Sequence, residues 1–486
     1  MMRKAINPAV LTALGAALAA VLTGCAVGPD YKKPEATTAP LPANWQSADF
    51  HAAEPNDAAL KGNWWEMYHD AELNRLADLT LAQNQSLRAA AAHLEQARAQ
   101  VTIGTAALLP QANLQAGAAR QKISADRPLG AYGVPNQSTV QSNFQLGFAV
   151  NYEADLFGGV RRSAESARAT GQQAVADFEN ARLVLMAELA ADYFNLRALD
   201  AEIDVVRQGL VLQEKALAFI SARHELGLAS GLDLAQQQAL LDANHTQLEL
   251  LNNQRAQFEH ALATMTGTPA PQFKLAPDVS MATPPAIPVG LPADLLQRRP
   301  DVASAERAVA AANANIGVAK SAWFPTIMLQ PTYGWDSNRM STLLSAPSVL
   351  WSLGASATQT LFDAGKTGAG VKIAEAGYTA SVANYRQSVL VAMQEVEDGI
   401  SGLGLLGRAG NMAEASVRSA QRVLDLANDR YTGGLDTYLD VITAQQALLA
   451  NQRQAVQIHG QQMTTSVFLI KALGGGWSGD VVQAAK

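Results

Sequence analysis

The chain is short of charge. Charged residues occupy 16% of its 486 positions, against roughly 25% in an average globular protein. Hydrophobic content is an ordinary 48%, so neutral polar residues and alanine have replaced the missing charge. The formal net charge is -7 and no long basic run exists, which argues against nucleic acid as the main partner. One cysteine and seven histidines exclude a disulfide framework and a cysteine-based zinc site. Aromatic residues reach only 6%, and no acid, base and nucleophile set converges in the sequence, so neither an enzyme nor a cofactor site is expected.

The first 25 residues read as an address. Arg3 and Lys4 form a short positive start, and Ala9 to Leu22 is an apolar run of 14 residues. That is too short for the ~20 residues of a spanning helix and fits a signal-peptide core. The run ends in Leu22-Thr23-Gly24-Cys25, which resembles a bacterial lipobox. The resemblance implies removal of residues 1–24 and acylation of Cys25 with an N-acyl chain and an S-diacylglycerol. The alternative is a structural cysteine after an ordinary signal. Ala26, not Asp, follows the cysteine, which implies sorting to the outer membrane. Each buried CH₂ of the lipid contributes about 0.8 kcal/mol to anchoring.

An internal repeat organises the remainder. Residues 223–241 match 430–448 at an offset of 207, pairing Arg223 with Arg430, Gly227 with Gly434, Leu228 with Leu435, Leu232 with Leu439 and Asp233 with Asp440. Residues ending at Pro110 match residues ending at Pro325 at an offset of 215, and Asp155-Leu156-Phe157-Gly158-Gly159 matches the stretch from Thr360 to Gly365. Each half is predicted to run helix, two strands, long helix, turn, helix. No proline occurs from Asn136 to Thr268 or after Pro347. Since an interior proline costs a helix about 3 kcal/mol, these gaps allow long helices, one from Gly159 to Arg223 and one from about Lys366 to Arg430. Leu185, Leu189, Asp192, Leu196, Leu199, Ile203, Val206 and Leu210 alternate steps of four and three, the spacing of a coiled-coil seam.

Four windows carry no charge: Ala99–Ala119, Pro128–Tyr152, Ser321–Trp335 and Met340–Phe362. Three alternate apolar with polar or small residues, as in Phe144, Leu146, Phe148, Val150 and Tyr152; Ile327, Leu329, Tyr333 and Trp335; and Trp351, Leu353, Ala355 and Ala357. Leu114 to Ala118 is a weaker fourth. The pattern fits a membrane β-barrel, with a half-buried soluble sheet as the alternative. Four strands cannot close a barrel, because single-chain barrels begin at about eight, and an open edge in lipid leaves backbone groups unpaired at several kcal/mol each. Strands placed in a membrane therefore require several chains to share one barrel, and three chains supply twelve.

On these marks the chain resembles the lipoprotein branch of the TolC-like outer membrane factors, the OprM/NodT-type efflux channels. The marks are Cys25 followed by Gly28-Pro29-Asp30-Tyr31-Lys32-Lys33-Pro34, Asp155-Leu156-Phe157-Gly158, Gln297-Arg298-Arg299-Pro300-Asp301, Phe324-Pro325, and Lys471-Ala472-Leu473-Gly474-Gly475-Gly476-Trp477. The resemblance implies a mixed α and β membrane protein: a homotrimer whose 12-strand transmembrane β-barrel, four strands per chain, continues into a long periplasmic α-helical coiled-coil barrel. It implies a channel in a tripartite efflux system that passively conducts small molecules, drugs or toxic compounds, from periplasm to exterior. Its partners are then outer membrane lipid, a periplasmic adaptor protein and an inner membrane transporter of the RND type. The expected divisions are a signal peptide at 1–24, a lipidated segment at 25–68, a first repeat at 69–268 with strands at about 111–121 and 142–157, a Pro-rich linker at 269–290, a second repeat at 291–476 with strands at about 326–336 and 349–362, and a tail at 477–486. The runner-up is a structural, periplasm-spanning lipoprotein tether, which needs no alternating strands.

The two matched turns are the expected working site. Gly227 and Gly434 allow the backbone to turn at positive φ, and the resemblance makes Gly227, Leu228, Gly434 and Leu435 adaptor-contacting turns at the periplasmic tip. Leu439 matches an apolar constriction of the OprM-like branch. Asp436 and Asp440 stand four apart, so they are expected to share a helix face and place carboxylates at the entrance, with a solvated acidic helix start as the alternative. Tyr431 and Asp233 match a family pair that hydrogen-bonds between neighbouring hairpins in the closed state, though either residue can equally be a cap or a packing group. Two departures stand out. The TolC branch has an arginine where this chain has Asp436, and the OprM-like branch has a carboxylate where it has Thr443. Three further features read as bland. Gly402-Leu403-Gly404-Leu405-Leu406-Gly407 fits a dinucleotide pattern but follows a helical stretch. His224, His245 and His260 have no ligand spacing, and Trp64-Trp65 with Tyr68 reads as packing of the N-terminal segment. The loops Lys122–Thr139 and Ser337–Pro347 are expected at the cell surface.

Overall fold

A computed structural model describes residues 26–38, 40, 45, 62–126, 138–280, 282–287 and 298–477. Cys25, the signal segment, Gln297 and the middle of the Lys122–Thr139 loop lie outside the described residues. Among the described residues there are seven α-helices and four strands. In chain order they are α1 (Ala71–Gln83), α2 (Gln85–Ala106), β1 (Gln111–Ile123), β2 (Thr139–Glu153), α3 (Gly159–Glu225), α4 (Gly231–Met265), α5 (Pro300–Ser321), β3 (Thr326–Ser337), β4 (Val349–Thr358), α6 (Lys366–Thr432) and α7 (Tyr438–Ala472). Lengths recur in pairs: 22 residues for α2 and α5, 67 for α3 and α6, 35 for α4 and α7. The starts of α3 and α6, and of α4 and α7, differ by the same 207 positions as the sequence match.

Strands β2 and β4 end earlier than expected, at Glu153 and Thr358 rather than near 157 and 362, one residue beyond the last alternating apolar positions Tyr152 and Ala357. Carboxylates stop them. The Asp155 carboxylate accepts from the backbone N–H of Val160 (3.2 Å) and Arg161 (2.8 Å), and Asp363 accepts from those of Gly365 (3.0 Å) and Thr367 (2.8 Å). Both turn the chain into a long helix by satisfying its first free donors.

Contacts divide the chain into two units, each described by itself. The first contains the N-terminal segment to Pro34, residues 95–173 and residues 306–384. Its sheet is antiparallel in the order β1-β2-β3-β4. Register sets Leu114 beside Phe148, Phe148 beside Tyr333 and Tyr333 beside Trp351, one apolar row across all four strands. The opposite face is polar: the Thr332 and Ser352 hydroxyls share a hydrogen bond of 2.7 Å, and Gln145 Nε2 donates to Asp336 Oδ2 at 3.0 Å. Within this chain the apolar face is uncovered, with Leu114 64%, Trp351 69% and Leu353 80% exposed. Pro331 sits in the inner strand β3 and has no N–H; the β2–β3 ladder lapses there, between the pairs Ala149–Thr332 and Tyr152–Leu329. An N-terminal strap follows. Val27 N–H donates to Phe157 O, the buried Arg162 donates to Asp30 (2.7 Å), Asn313 donates to Pro29 O (2.9 Å), and Tyr31 donates to Glu306.

The second unit holds residues 35–94, 174–305 and 385–486. Its largest core joins Trp64, Trp65 and Tyr68 to Leu73 and Leu76 of α1, Met186 to Leu196 of α3, Leu262 of α4, and Met463, Val467 and Ile470 of α7. The tryptophan pair is thus a packing group, each ring 2% exposed. The seam continues as a second cluster in which Ile203, Val206 and Leu210 meet Leu241, Leu251 and Leu449. The Gly402–Gly407 stretch is uninterrupted helix α6, and a Cβ on Gly402 would stand 3.2 Å from the Thr465 side chain. Gly402 thus serves close helix packing, whereas Gly407 faces open space. Phe273 and Leu275 of the Pro-rich segment are buried in the main core. The Arg299 mark is structural too: the buried guanidinium binds Asp301 (2.7 Å), Glu395 (2.6 Å) and Ala472 O (3.0 Å).

One seam position is polar. Burial, with Glu188 nearby, pushes the Asp192 carboxyl up to about 6. A carboxyl raised in the folded state binds more protons than in the unfolded chain between about pH 4 and 6, so it lowers stability as pH rises through that window and costs most above it. Asp192→Asn is expected to raise the unfolding midpoint at pH 7.5 by about 1 kcal/mol equivalent, discounted for a half-buried group, with no gain at pH 4. Thermal unfolding in detergent at both pH values measures this.

Candidate functional site

The turns α3–α4 and α6–α7 are built alike. Gly227 and Gly434 both adopt φ 71°, a left-handed conformation that a side chain would strain. Gly227 N–H donates to His224 O (2.9 Å) and Leu228 N–H to Arg223 O (2.8 Å); Gly434 N–H donates to Tyr431 O (3.0 Å) and Leu435 N–H to Arg430 O (2.9 Å). This is the Schellman pairing that satisfies the last carbonyls of a helix. It projects Leu228 (63% exposed) and Leu435 (72% exposed) from the turns.

The helices that follow begin differently. In α4, Ser230 and Asp233 form a capping box: Asp233 N–H donates to Ser230 Oγ and Ser230 N–H donates to Asp233 Oδ2, both at 3.1 Å. In α7 the equivalent pair, Thr437 and Asp440, makes no side-chain cap; the Thr437 hydroxyl instead donates to Asp440 Oδ2 at 2.8 Å. Leu439 is 52% exposed and Asp440 is exposed beside it. The Thr443 hydroxyl donates to Leu439 O at 2.8 Å.

Two expectations change. Asp436 and Asp440 do not share a helix face, because α7 begins at Tyr438 and Asp436 precedes its N-cap Thr437. The Asp436 carboxylate instead takes both nitrogens of a fork from Arg430, Nη2 at 3.0 Å with Nε also bonded. That bond holds its carboxyl below the usual range. Second, Tyr431 and Asp233 do not bond to each other. Asp233 is occupied by the capping box, and the Tyr431 ring lies between the Arg223 guanidinium (5.2 Å) and the Tyr438 ring (5.0 Å).

The bond that joins the two hairpins is one the sequence reading missed. The Tyr438 hydroxyl donates to Gln237 Oε1 at 2.9 Å, with Tyr438 3% and Gln237 0% exposed. Gln237 Nε2 donates to Gln213 O (3.2 Å), and Asn244 Nδ2 donates to Gln213 Oε1 (3.0 Å). Burial pushes the Tyr438 phenol well above its usual range, so it remains a donor. The signal was present in the repeat: the positions equivalent to Tyr438 and Gln237 are Gly231 and Ala444, so this bond has no counterpart in the other half.

The sequence profile described as "Outer membrane efflux protein" matches residues 76–268 and 291–475. The chain belongs to the outer membrane efflux protein family. This efflux protein is 34% identical over 475 residues to the probable efflux pump outer membrane protein SepC of Pseudomonas putida, covering 96% of both chains. It is 33% identical to outer membrane protein OprJ of Pseudomonas aeruginosa, covering 95% of both. Among solved structures it superposes on the outer-membrane channel OprN with a TM-score of 0.84, at 29% identity, covering 93% of this chain and 100% of that one. The efflux protein is therefore an outer membrane component of efflux, with the mixed fold of long helices and a four-strand sheet that such channels share.

Proposed function

We propose that three copies of this chain form one gated duct, in which twelve strands close a barrel in the outer membrane and the helices line the periplasmic part. The observation that carries this reading is the sheet: β1 and β4 each pair on one side only, and its apolar row is uncovered within one chain. Unpaired edges and exposed apolar rows are costly alone and useful in lipid once closed on further copies. A mere tether has no need of either. The lipid on Cys25 holds each copy in the same membrane. A periplasmic adaptor seats on the turns at Gly227, Leu228, Gly434 and Leu435, and an inner membrane transporter of the RND type supplies the energy. Relatives are named for the export of different compounds, toluene for one and pyoverdine for another, which suits a duct that passes small toxic molecules chosen by its pump.

Leu439 forms the apolar constriction of the gate, narrowing and dewetting the entrance when three copies converge. Asp440 supplies the acidic group beside it. Asp436 acts through its fork to Arg430, which stiffens the turn. Asp233 and Tyr431 contribute to the closed state when their hairpins shift toward one another. Planar-bilayer conductance of the purified complex tests the assignment. Leu439→Ala is expected to raise closed-state conductance several-fold, and Asp233→Ala and Tyr431→Phe to raise it less. If all three leave it unchanged, the gate does not lie here.

A further inference from the structure

The gate side chains stand on the first turn of α7, whose solvent side is held only locally, by the Thr437 hydroxyl on Asp440. Thr437 gives no side-chain cap, and Leu439 and Asp440 are exposed. Consecutive residues of an α-helix point about 100° apart. The direction of Leu439 and Asp440 is thus set by the rotation of α7 about its buried residues, Tyr438, Val441 and Ile442, of which Tyr438 alone also has a polar bond to the other hairpin.

Tyr438 is fixed twice over. Its ring packs with Ile220 of α3, Leu240 of α4, Leu424 of α6 and Val441 of α7 in a buried cluster, and its hydroxyl is bonded to Gln237 of α4. Packing alone allows a ring to slide and a helix to rotate. A hydrogen bond between two buried neutral groups is directional, and both partners lose it with no water to replace it. Gln237 is itself held by Gln213 O, so the anchor extends across α4 into α3.

We propose that Gln237 is a positioning residue for the gate: through the Tyr438 hydroxyl it sets the rotation of α7, and so aims Leu439 and Asp440 toward the entrance in the resting state. This rests on the gated-duct reading above and adds to it. The link is neutral and buried, whereas the Arg430–Asp436 fork is charged and exposed; added salt screens the fork and leaves the link intact. The repeat supports the assignment, since only the α7 hairpin has the tyrosine and only the α4 hairpin has the glutamine.

Resting conductance of the full-length complex in planar bilayers tests it, using Tyr438→Phe, Gln237→Leu, the double variant and Leu439→Ala. Each single variant is expected to raise resting open probability about fivefold, the value of one neutral hydrogen bond. The double variant is expected to match either single, because both remove the same bond, and the rise is expected to be the same at low and high salt. Tyr438→Phe removes one oxygen and keeps the ring, so it decides alone if Gln237→Leu does not assemble. Native conductance in Tyr438→Phe, with Leu439→Ala raised, overturns the positioning role and leaves the gate reading intact. A double variant that returns to native conductance also overturns it, because the singles then acted only by stranding a buried polar atom. Silence of all four variants removes the gate reading as well.

Discussion

Leu353→Arg is expected to abolish assembly in the outer membrane, whereas Ser352→Arg, one residue earlier, is expected to be tolerated. Leu353 lies in β4 on the same face as Trp351 and is 80% exposed within one chain. A charged residue on the lipid face of a membrane barrel costs about 2–4 kcal/mol near the bilayer midplane, and a three-copy barrel meets that cost three times. Ser352 points to the other face, where its hydroxyl bonds to Thr332; in the proposed barrel that face lines the water-filled side, so an arginine there keeps its hydration. The amounts of heat-modifiable oligomer in outer membrane fractions measure the contrast. Loss of at least tenfold for Leu353→Arg and little change for Ser352→Arg is expected. The reverse order would assign the two faces the other way round.

The second large effect concerns Asp200, whose side chain is 1% exposed. It accepts from Arg197 at 3.0 Å, from Arg255 at 2.5 Å and from the Asp278 N–H at 3.1 Å. The two arginines hold the Pro-rich segment, donating to Ala276 O and Leu275 O, both at 2.8 Å. Asp200→Ala leaves the nearly buried Arg197 guanidinium without its counter-charge and Arg255 with Glu259 alone, at 3.4 Å. Breaking a buried pair in this way costs about 3–5 kcal/mol. Asp200→Asn keeps the shape and one acceptor, so it is expected to cost less. Denaturant unfolding in detergent gives the comparison. An unchanged midpoint for Asp200→Ala would mean that this network contributes nothing to holding the segment. Glu95→Ala, which breaks an exposed pair with Arg98, is expected to change little.

Much of the architecture was legible because it rests on periodicity and repetition. The 207-residue offset places the starts of both long helices and both returning helices, and Leu189, Leu196, Ile203, Val206 and Leu210 of the seam are buried where steps of four and three put them. What was not legible depends on single polar groups. The expected strands ran on to about 157 and 362, past the last alternating residues Tyr152 and Ala357, yet Asp155 and Asp363 turn the chain by capping helices, and nothing in a hydrophobic pattern records a cap. The helix-face argument for Asp436 failed for the same kind of reason: counting four residues assumes that a helix has begun, and it begins two residues later, at Tyr438. Asp233 read as a partner for Tyr431, but its own Ser230 is nearer in sequence and takes it first. The Tyr438–Gln237 bond spans 201 positions, and only the mismatch between repeats, Gly231 and Ala444 at the equivalent places, pointed to it.

In the proposed duct one chain is an incomplete share of the barrel. Native mass spectrometry of the detergent-purified protein, on the sample that is then reconstituted for conductance, tests it most directly. A species of three copies that forms ion-conducting pores is expected. A species of one copy that conducts, or that stays in water without detergent, would contradict it.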